Sequence, residues 1–117
     1  MSETIETIME WHKETFPDTT LAEQFHKFEL EKKEFLKAKS TIDGLKEIAD
    51  MYIVACGFSR FNEPISKLLF KKVNSACLLI DVIDEELQKA IDEKMSINRK
   101  RKWHKVNGEW RHIDENN

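Results

Sequence analysis

Two acidic pairs, Glu31-Lys32-Lys33-Glu34 and Glu47-Ile48-Ala49-Asp50, are the residues of this chain best suited to chemistry. Residues three apart on a helix are neighbours on one face, so each pair sets two carboxylates side by side. If the two helices that carry them pack antiparallel, both pairs can face one cavity. Four carboxylates converging on a point repel unless cations lie between them, and hard oxygen ligands of this kind select Mg²⁺ or Mn²⁺. The spacing alone is common, since Glu3/Glu6 and Asp81/Asp84 repeat it. A like-charged pair on a wet helix face costs only about 0.2–0.5 kcal/mol. Position separates the pairs. Asp50 is bracketed by Ile48, Ala49, Met51, Tyr52, Ile53 and Val54, so its carboxylate is partly desolvated and needs a partner or a metal. The stripe through Asp81 continues into Asp84, Glu85 and Gln88 and reads as a solvent face.

A second group is basic. Lys94, Asn98 and Arg101 fall at i, i+4 and i+7, so one helix face carries two cations and an amide. Arg offers a planar fork to phosphate oxygens and Lys a mobile point charge, which together suit a triphosphate. Cations near a helix C-terminus also offset the macrodipole, and the local sequence leaves both readings open. Trp103 and Trp110 are able to stack on a base, although packing within a hairpin accounts better for Trp110.

The elements that must position these groups are helical. The chain has 117 residues, 40% of them hydrophobic and 35% charged, with three Gly and two Pro. That balance favours one domain of long helices joined by short loops, an all-α bundle of four to five helices. A small charged domain of this kind often completes its core by oligomerising. The first helix is expected from Ser2 to about Lys13, with Ile5, Ile8, Met9 and His12 inward, and Phe16-Pro17-Asp18 ends it. Thr20 with Glu23 forms a capping box for a second helix from Leu21 to about Lys39, whose apolar face holds Leu21, Phe25, Phe28, Phe35 and Leu36. Asp43 or Thr41 caps a third helix, to about Arg60, which is the most apolar and is expected at the centre. Asn62-Glu63-Pro64 starts a short helix over Ile65–Val73, and a long one is expected from Ser75 to about Arg101. The pair Asn107-Gly108, flanked by aromatics, signals a two-residue hairpin turn in the C-terminal tail.

Cys56 and Cys77 sit in apolar runs and are expected as buried, reduced thiols; their spacing suggests no metal knuckle or redox pair. The acidic N-terminus lacks an apolar signal region, and the apolar run Met51–Phe58 is too short to span a bilayer, so a cytoplasmic protein with no membrane partner is expected. Net charge is −3, but residues 94–112 carry a local +6 and residues 1–93 a local −7. Such asymmetry suits a metal-and-phosphate site split between the two parts. It would equally suit a basic tail that touches nucleic acid.

Taken together, the residues resemble the all-α, MazG-like nucleoside triphosphate pyrophosphohydrolases, whose signature is ExxE, a variable gap, then ExxD: here Glu31–Glu34 and Glu47–Asp50. More narrowly, the chain is similar to the dATP/dGTP pyrophosphohydrolases common in phages and prophages. WHKETFP, LKEIADMYIVACGFSRF and AIDEKMSINRKRKWHKVNGEWRH carry that likeness over nearly all of residues 1–117. The resemblance implies a helical bundle that forms a dimer or tetramer, with active sites near the subunit interface. It implies that Glu31, Glu34, Glu47 and Asp50 bind Mg²⁺, or Mn²⁺ in its place, and that a carboxylate of the first pair, Glu34 in preference to Glu31, acts as general base. Lys94, Asn98 and Arg101 match its basic segment and would contact phosphates, while Trp11, His12 and Phe16 become candidates for the base pocket. The implied reaction cuts purine deoxynucleoside triphosphates into monophosphate and pyrophosphate. Two competitors remain: the same fold acting on dUTP, dCTP or a modified nucleotide, and a non-catalytic helical module binding nucleic acid or protein through its basic tail.

Overall fold

Local capping chemistry sets most of the element boundaries. The computed structural model describes residues 2–107 and 109–113. Thr4 opens α1 (Ile5–Thr15): its hydroxyl accepts from the Thr7 amide, and the Thr7 hydroxyl accepts from the Thr4 amide. This reciprocal cap satisfies donors that a helix start leaves orphaned and moves the start past Ser2. Ile8 and His12 face inward as the spacing predicts, joined by Trp11, whereas Ile5 is exposed. The expected capping box of Thr20 and Glu23 starts α2 (Leu21–Leu36). This helix stops short of Lys39. Phe28 and Phe35 are buried on it, while Phe25 and Leu36 stay exposed.

Ser40, rather than Thr41 or Asp43, caps α3 (Thr41–Phe58), its hydroxyl accepting from the Asp43 amide at 3.1 Å. As its composition predicts, α3 is the central element: α1, α2, α4 and α5 all touch it. Asn62 caps α4 (Glu63–Leu79), with Pro64 in the first turn where its missing N–H costs nothing.

The boundary between the last two helices differs from the expectation. There is no break near Asn74; α4 continues to Leu79 and α5 spans Asp84–Lys100. The chain turns at Asp81, whose φ of 56° lies in the left-handed region. Its amide donates to the Leu78 carbonyl and the Val82 amide to the Cys77 carbonyl. Those two bonds form the Schellman closure of a helix C-terminus, with Asp in the position usually held by Gly. Asp81 and Asp84 therefore belong to a turn and a helix start, not to one helical stripe.

After α5, β1 (Lys102–Val106) and β2 (Glu109–Ile113) pair antiparallel, with Lys102 opposite Ile113 and Val106 opposite Glu109. The expected hairpin is thus present, with Asn107 at a φ of 51°; Gly108 lies outside the described residues. Arg101 precedes β1 in extended conformation, so it has left the helix that carries Lys94 and Asn98.

The core draws on all five helices, and Trp103 and Trp110 of the hairpin pack against it. Cys56 is fully buried and Cys77 partly so, both as free thiols; burial pushes the Cys56 thiol up, which keeps it neutral. The N-terminal segment is stapled to α5: the Glu3 amide donates to Asp92, Gln88 donates to the Glu3 carbonyl, and Arg99 grips the Glu3 carboxylate. Among the described residues, no helix is long and apolar enough to cross a membrane.

Candidate active site

α2 and α3 run antiparallel, since Gln24 reaches Val54 at one end and Phe35 lies against Gly44 at the other. That pairing sets Glu31 opposite Glu47 and Asp50. One carboxylate oxygen from each of the three lies within 4.8 Å of the other two. Glu34 is exposed and stands outside this group, so three of the four predicted ligands converge. The reason is the turn of α2. Gln24, Phe28, Glu31 and Phe35 recur at alternating steps of four and three and form its inward stripe, whereas Glu34 falls outside it.

The three carboxyls are frustrated. Burial raises the Asp50 carboxyl, against the opposing pull of Lys94, whose Nζ lies 3.2 Å from Oδ2. Burial and then the Asp50 charge raise Glu31, opposed by Lys27 at 3.3 Å. Burial raises Glu47 as well, followed by Asp50, with Glu31 and Glu34 adding to it. Lys27, Lys94 and, at longer range, Arg101 oppose these shifts, but burial outweighs them at all three half-buried carboxyls.

Beside this group opens a cavity of about 1000 Å³. Glu31 and Asp50 line it, as do Lys94, Asn98 and Arg101. Glu47 belongs to the carboxylate group but does not line the cavity. Asn98 is buried, and among the described residues its side chain has weak partners: Nδ2 donates to the Met95 sulfur at 3.8 Å and Oδ1 accepts from Arg101 at 3.5 Å. Arg99, between them in sequence, points elsewhere and is consumed by Glu3.

The remaining wall is aromatic. Phe16 meets Trp11 at 5.4 Å, Trp103 at 5.0 Å and Trp110 at 5.3 Å between ring centroids, the edge-on and tilted contacts that aromatic quadrupoles favour. Trp11, Phe16, Trp103 and Trp110 all line the cavity. An ion pair of Lys105 with Asp18 at 3.1 Å and a contact of His26 with Glu109 at 3.3 Å hold the hairpin in place there. All of the predicted substrate-side residues, Lys94, Asn98, Arg101, Trp11 and Phe16, therefore share one concavity.

Sequence reading missed a buried polar relay at this cavity. His12 and Gln24 both line it, at 5% and 3% exposure. His12 Nε2 lies 3.0 Å from Gln24 Oε1, and Gln24 Nε2 donates to the Val54 carbonyl at 2.9 Å. On the other side, Arg60 reaches His12 Nδ1 at 3.0 Å and also donates to the carbonyls of His12, Phe16 and Pro17. Arg60 thus satisfies the end of α1 and fixes the turn that carries Phe16. Burial, then the Arg60 charge, brings the His12 imidazole down to about 4, with Gln24 opposing. Gly57 makes room for the relay, because a Cβ there would lie 2.6 Å from Gln24 Nε2 and 2.8 Å from His12 Cδ2. The available signal was Gln24 itself, a polar residue on an otherwise inward stripe.

No protein-family model matches this chain, and no curated protein or solved structure matches it either.

Proposed function

We propose that this protein is a Mg²⁺-dependent pyrophosphohydrolase that converts purine deoxynucleoside triphosphates, dATP and dGTP, to the monophosphate and pyrophosphate. The observation that carries the reading is the meeting, in one cavity, of Glu31 and Asp50 from a three-carboxylate group, a cationic edge and an aromatic wall. Each of the three fits one part of such a substrate: metal-bound phosphate, free phosphate oxygens and base.

The donor set fits a hard divalent cation, because three carboxylates with oxygens this close have their repulsion relieved by Mg²⁺ or Mn²⁺. Glu31, Glu47 and Asp50 would hold it, with Glu34 adding negative charge at the edge. When bound, the ion would supply Lewis-acid polarisation of a phosphoryl oxygen. The chain's own residues do the rest. Glu31 faces the cavity with a raised carboxyl, which suits it, more than the exposed Glu34, to take the proton of a water attacking the α-phosphorus. The bond from the α-phosphorus to the bridging oxygen breaks, and Lys94 and Arg101 stabilise the charge of the leaving pyrophosphate. Asn98 is buried with its amide weakly occupied and is suited to hold a phosphate oxygen in register. Trp11 and Phe16 supply the stacking surface for the base.

In the alternative of a basic tail that binds nucleic acid, Arg99 and Lys105 would contribute less, being paired with Glu3 and Asp18 within the fold. Homo-oligomerisation belongs to the same proposal; Leu68, Leu78, Leu79 and Ile83 leave large apolar side chains exposed, and a second copy would cover them.

The test is a panel of the four dNTPs, dUTP and the four NTPs with Mg²⁺, scored for monophosphate and pyrophosphate release. Purine-selective cleavage abolished by EDTA is the expected result. No turnover on any of them, with Mn²⁺ also supplied, would sink the reading.

A further inference from the structure

We infer that Gln24 reads the edge of the ring bound in the cavity, its amide held in one orientation by Arg60 acting through His12. The inference rests on the reading of the cavity as a nucleotide site. It supplies what that reading lacks, a group that distinguishes one ring edge from another.

The relay has a single consistent proton arrangement. A guanidinium only donates. His12 Nδ1, 3.0 Å from Arg60, must therefore be the lone-pair nitrogen, and Nε2 must carry the proton. That N–H points at Gln24, so Gln24 has to present its oxygen there and its nitrogen to the Val54 carbonyl. The alternative amide orientation would set donor against donor at His12 and acceptor against acceptor at Val54. Each end costs a buried hydrogen bond. The neutral state of His12 agrees with this arrangement, because an added proton on Nδ1 would face the guanidinium.

A primary amide has two N–H groups and two carbonyl lone pairs. Gln24 spends one of each inside the protein, and one donor and one acceptor remain on a side chain that lines the cavity. A donor beside an acceptor complements a ring edge that carries an acceptor beside a donor, such as a ring nitrogen next to an exocyclic amine; adenine presents this edge, and Gln pairs with it in other contexts. The aromatic wall holds the ring's faces, and Gln24 would meet its rim. Arg60 touches no part of the ring, being absent from the cavity lining. It is a positioning residue.

The experiment measures binding without turnover. The tryptophans of the cavity report by fluorescence on titration of the full chain with 2′-deoxyadenosine monophosphate, and with the same nucleotide lacking the 6-amino group. The wild type is expected to prefer the amino ring by up to about tenfold, the worth of one hydrogen bond. Gln24→Met, checked for folding by circular dichroism, should bring the two affinities together. Arg60→Lys leaves Gln24 in place but removes the fork that fixes the His12 tautomer, so it should narrow the preference as well and serves if the Met variant does not fold. A preference that survives unchanged in a folded variant, or is absent from the wild type, overturns the inference and leaves the hydrolase reading standing. Failure of the wild type to bind either monophosphate overturns the inference, and the hydrolase reading then stands or falls on its own turnover panel. Binding with the expected preference but no turnover supports the inference and removes only the hydrolase.

Discussion

Glu3 and Asp50 each lie beside a cation from α5, yet their protons respond in opposite directions. Glu3 accepts two bonds from Arg99, at 2.7 and 2.8 Å, and these hold its carboxyl below the usual carboxylate range. Asp50 has Lys94 at 3.2 Å, and its carboxyl is nonetheless raised, because burial outweighs that one ammonium. The Glu3 region is complete: a forked donor meets a single carboxylate, and the N-terminal segment is fastened. The Asp50 region is not, since the same kind of neighbour must serve a carboxylate that shares its surroundings with Glu31 and Glu47. An ion pair by itself therefore does not separate a staple from a site. What differs is the surroundings: Glu3 is gripped by a fork at a more open position, whereas burial outweighs the cations beside Asp50.

The two regions should also oppose each other in pH. A carboxyl lowered in the fold contributes stability that is present above its unfolded value and is lost as pH falls through its folded value. That is Glu3. For Glu31, Glu47 and Asp50 the folded state binds the proton more tightly, so stability falls as pH rises from the unfolded carboxylate value through the raised one. His12, brought down to about 4 from 6.5, acts like Glu3: the unfolded chain binds the proton more tightly, and stability is lost as pH drops through that interval.

The comparison can be broken most sharply at Asp50. Asp50→Asn is expected to lower dATP turnover by more than about a hundredfold, beyond the loss seen for groups one layer out from a metal. Its thermal midpoint above neutral pH should match or exceed wild type, because one repelling charge is gone. Turnover near wild type, or a large drop in stability, would make Asp50 a second staple. A middle-sized effect is expected from Mg²⁺ itself. Addition should raise the thermal midpoint by several degrees, roughly 2–8 °C, at pH 8 and hardly at all near pH 4, where the carboxyls hold protons; equal shifts at both would mean the ion is not held by these groups. The smallest effect belongs to the staple. Glu3→Gln should cost under about 1 kcal/mol in urea unfolding, discounted for the exposed Arg99 side chain, with turnover unchanged. A change in turnover would tie the N-terminal segment to the cavity.

Much of the fold was legible because it is local. The Thr20–Glu23 box, the Asn62 cap with Pro64 and the Asn107 hairpin signal each depend on residues within a few positions. The α4–α5 boundary was not, because the turn uses Asp81 in a conformation that Gly usually advertises, while Asn74-Ser75 offered a false stop. At the site, the helix periods marked both acidic pairs and the Lys94–Asn98 face. They did not say that Arg101 leaves the helix, nor that Glu34 turns to solvent while Glu31 turns inward.

By itself the sequence determined that the elements are helical and where the first three lie, together with the acidic and basic groups and the apolar centre of α3, since propensity, capping and periodicity act over one or two turns. Only the tertiary structure decided which charges share a space. The antiparallel contact of α2 and α3 selects three carboxylates from four. Folding the hairpin back onto Phe16 builds the aromatic wall, and joining Arg60 to His12 across 48 positions orients Gln24. Electrostatic and hydrogen-bond energies depend on distance and burial, and neither is written in the spacing of residues along a chain.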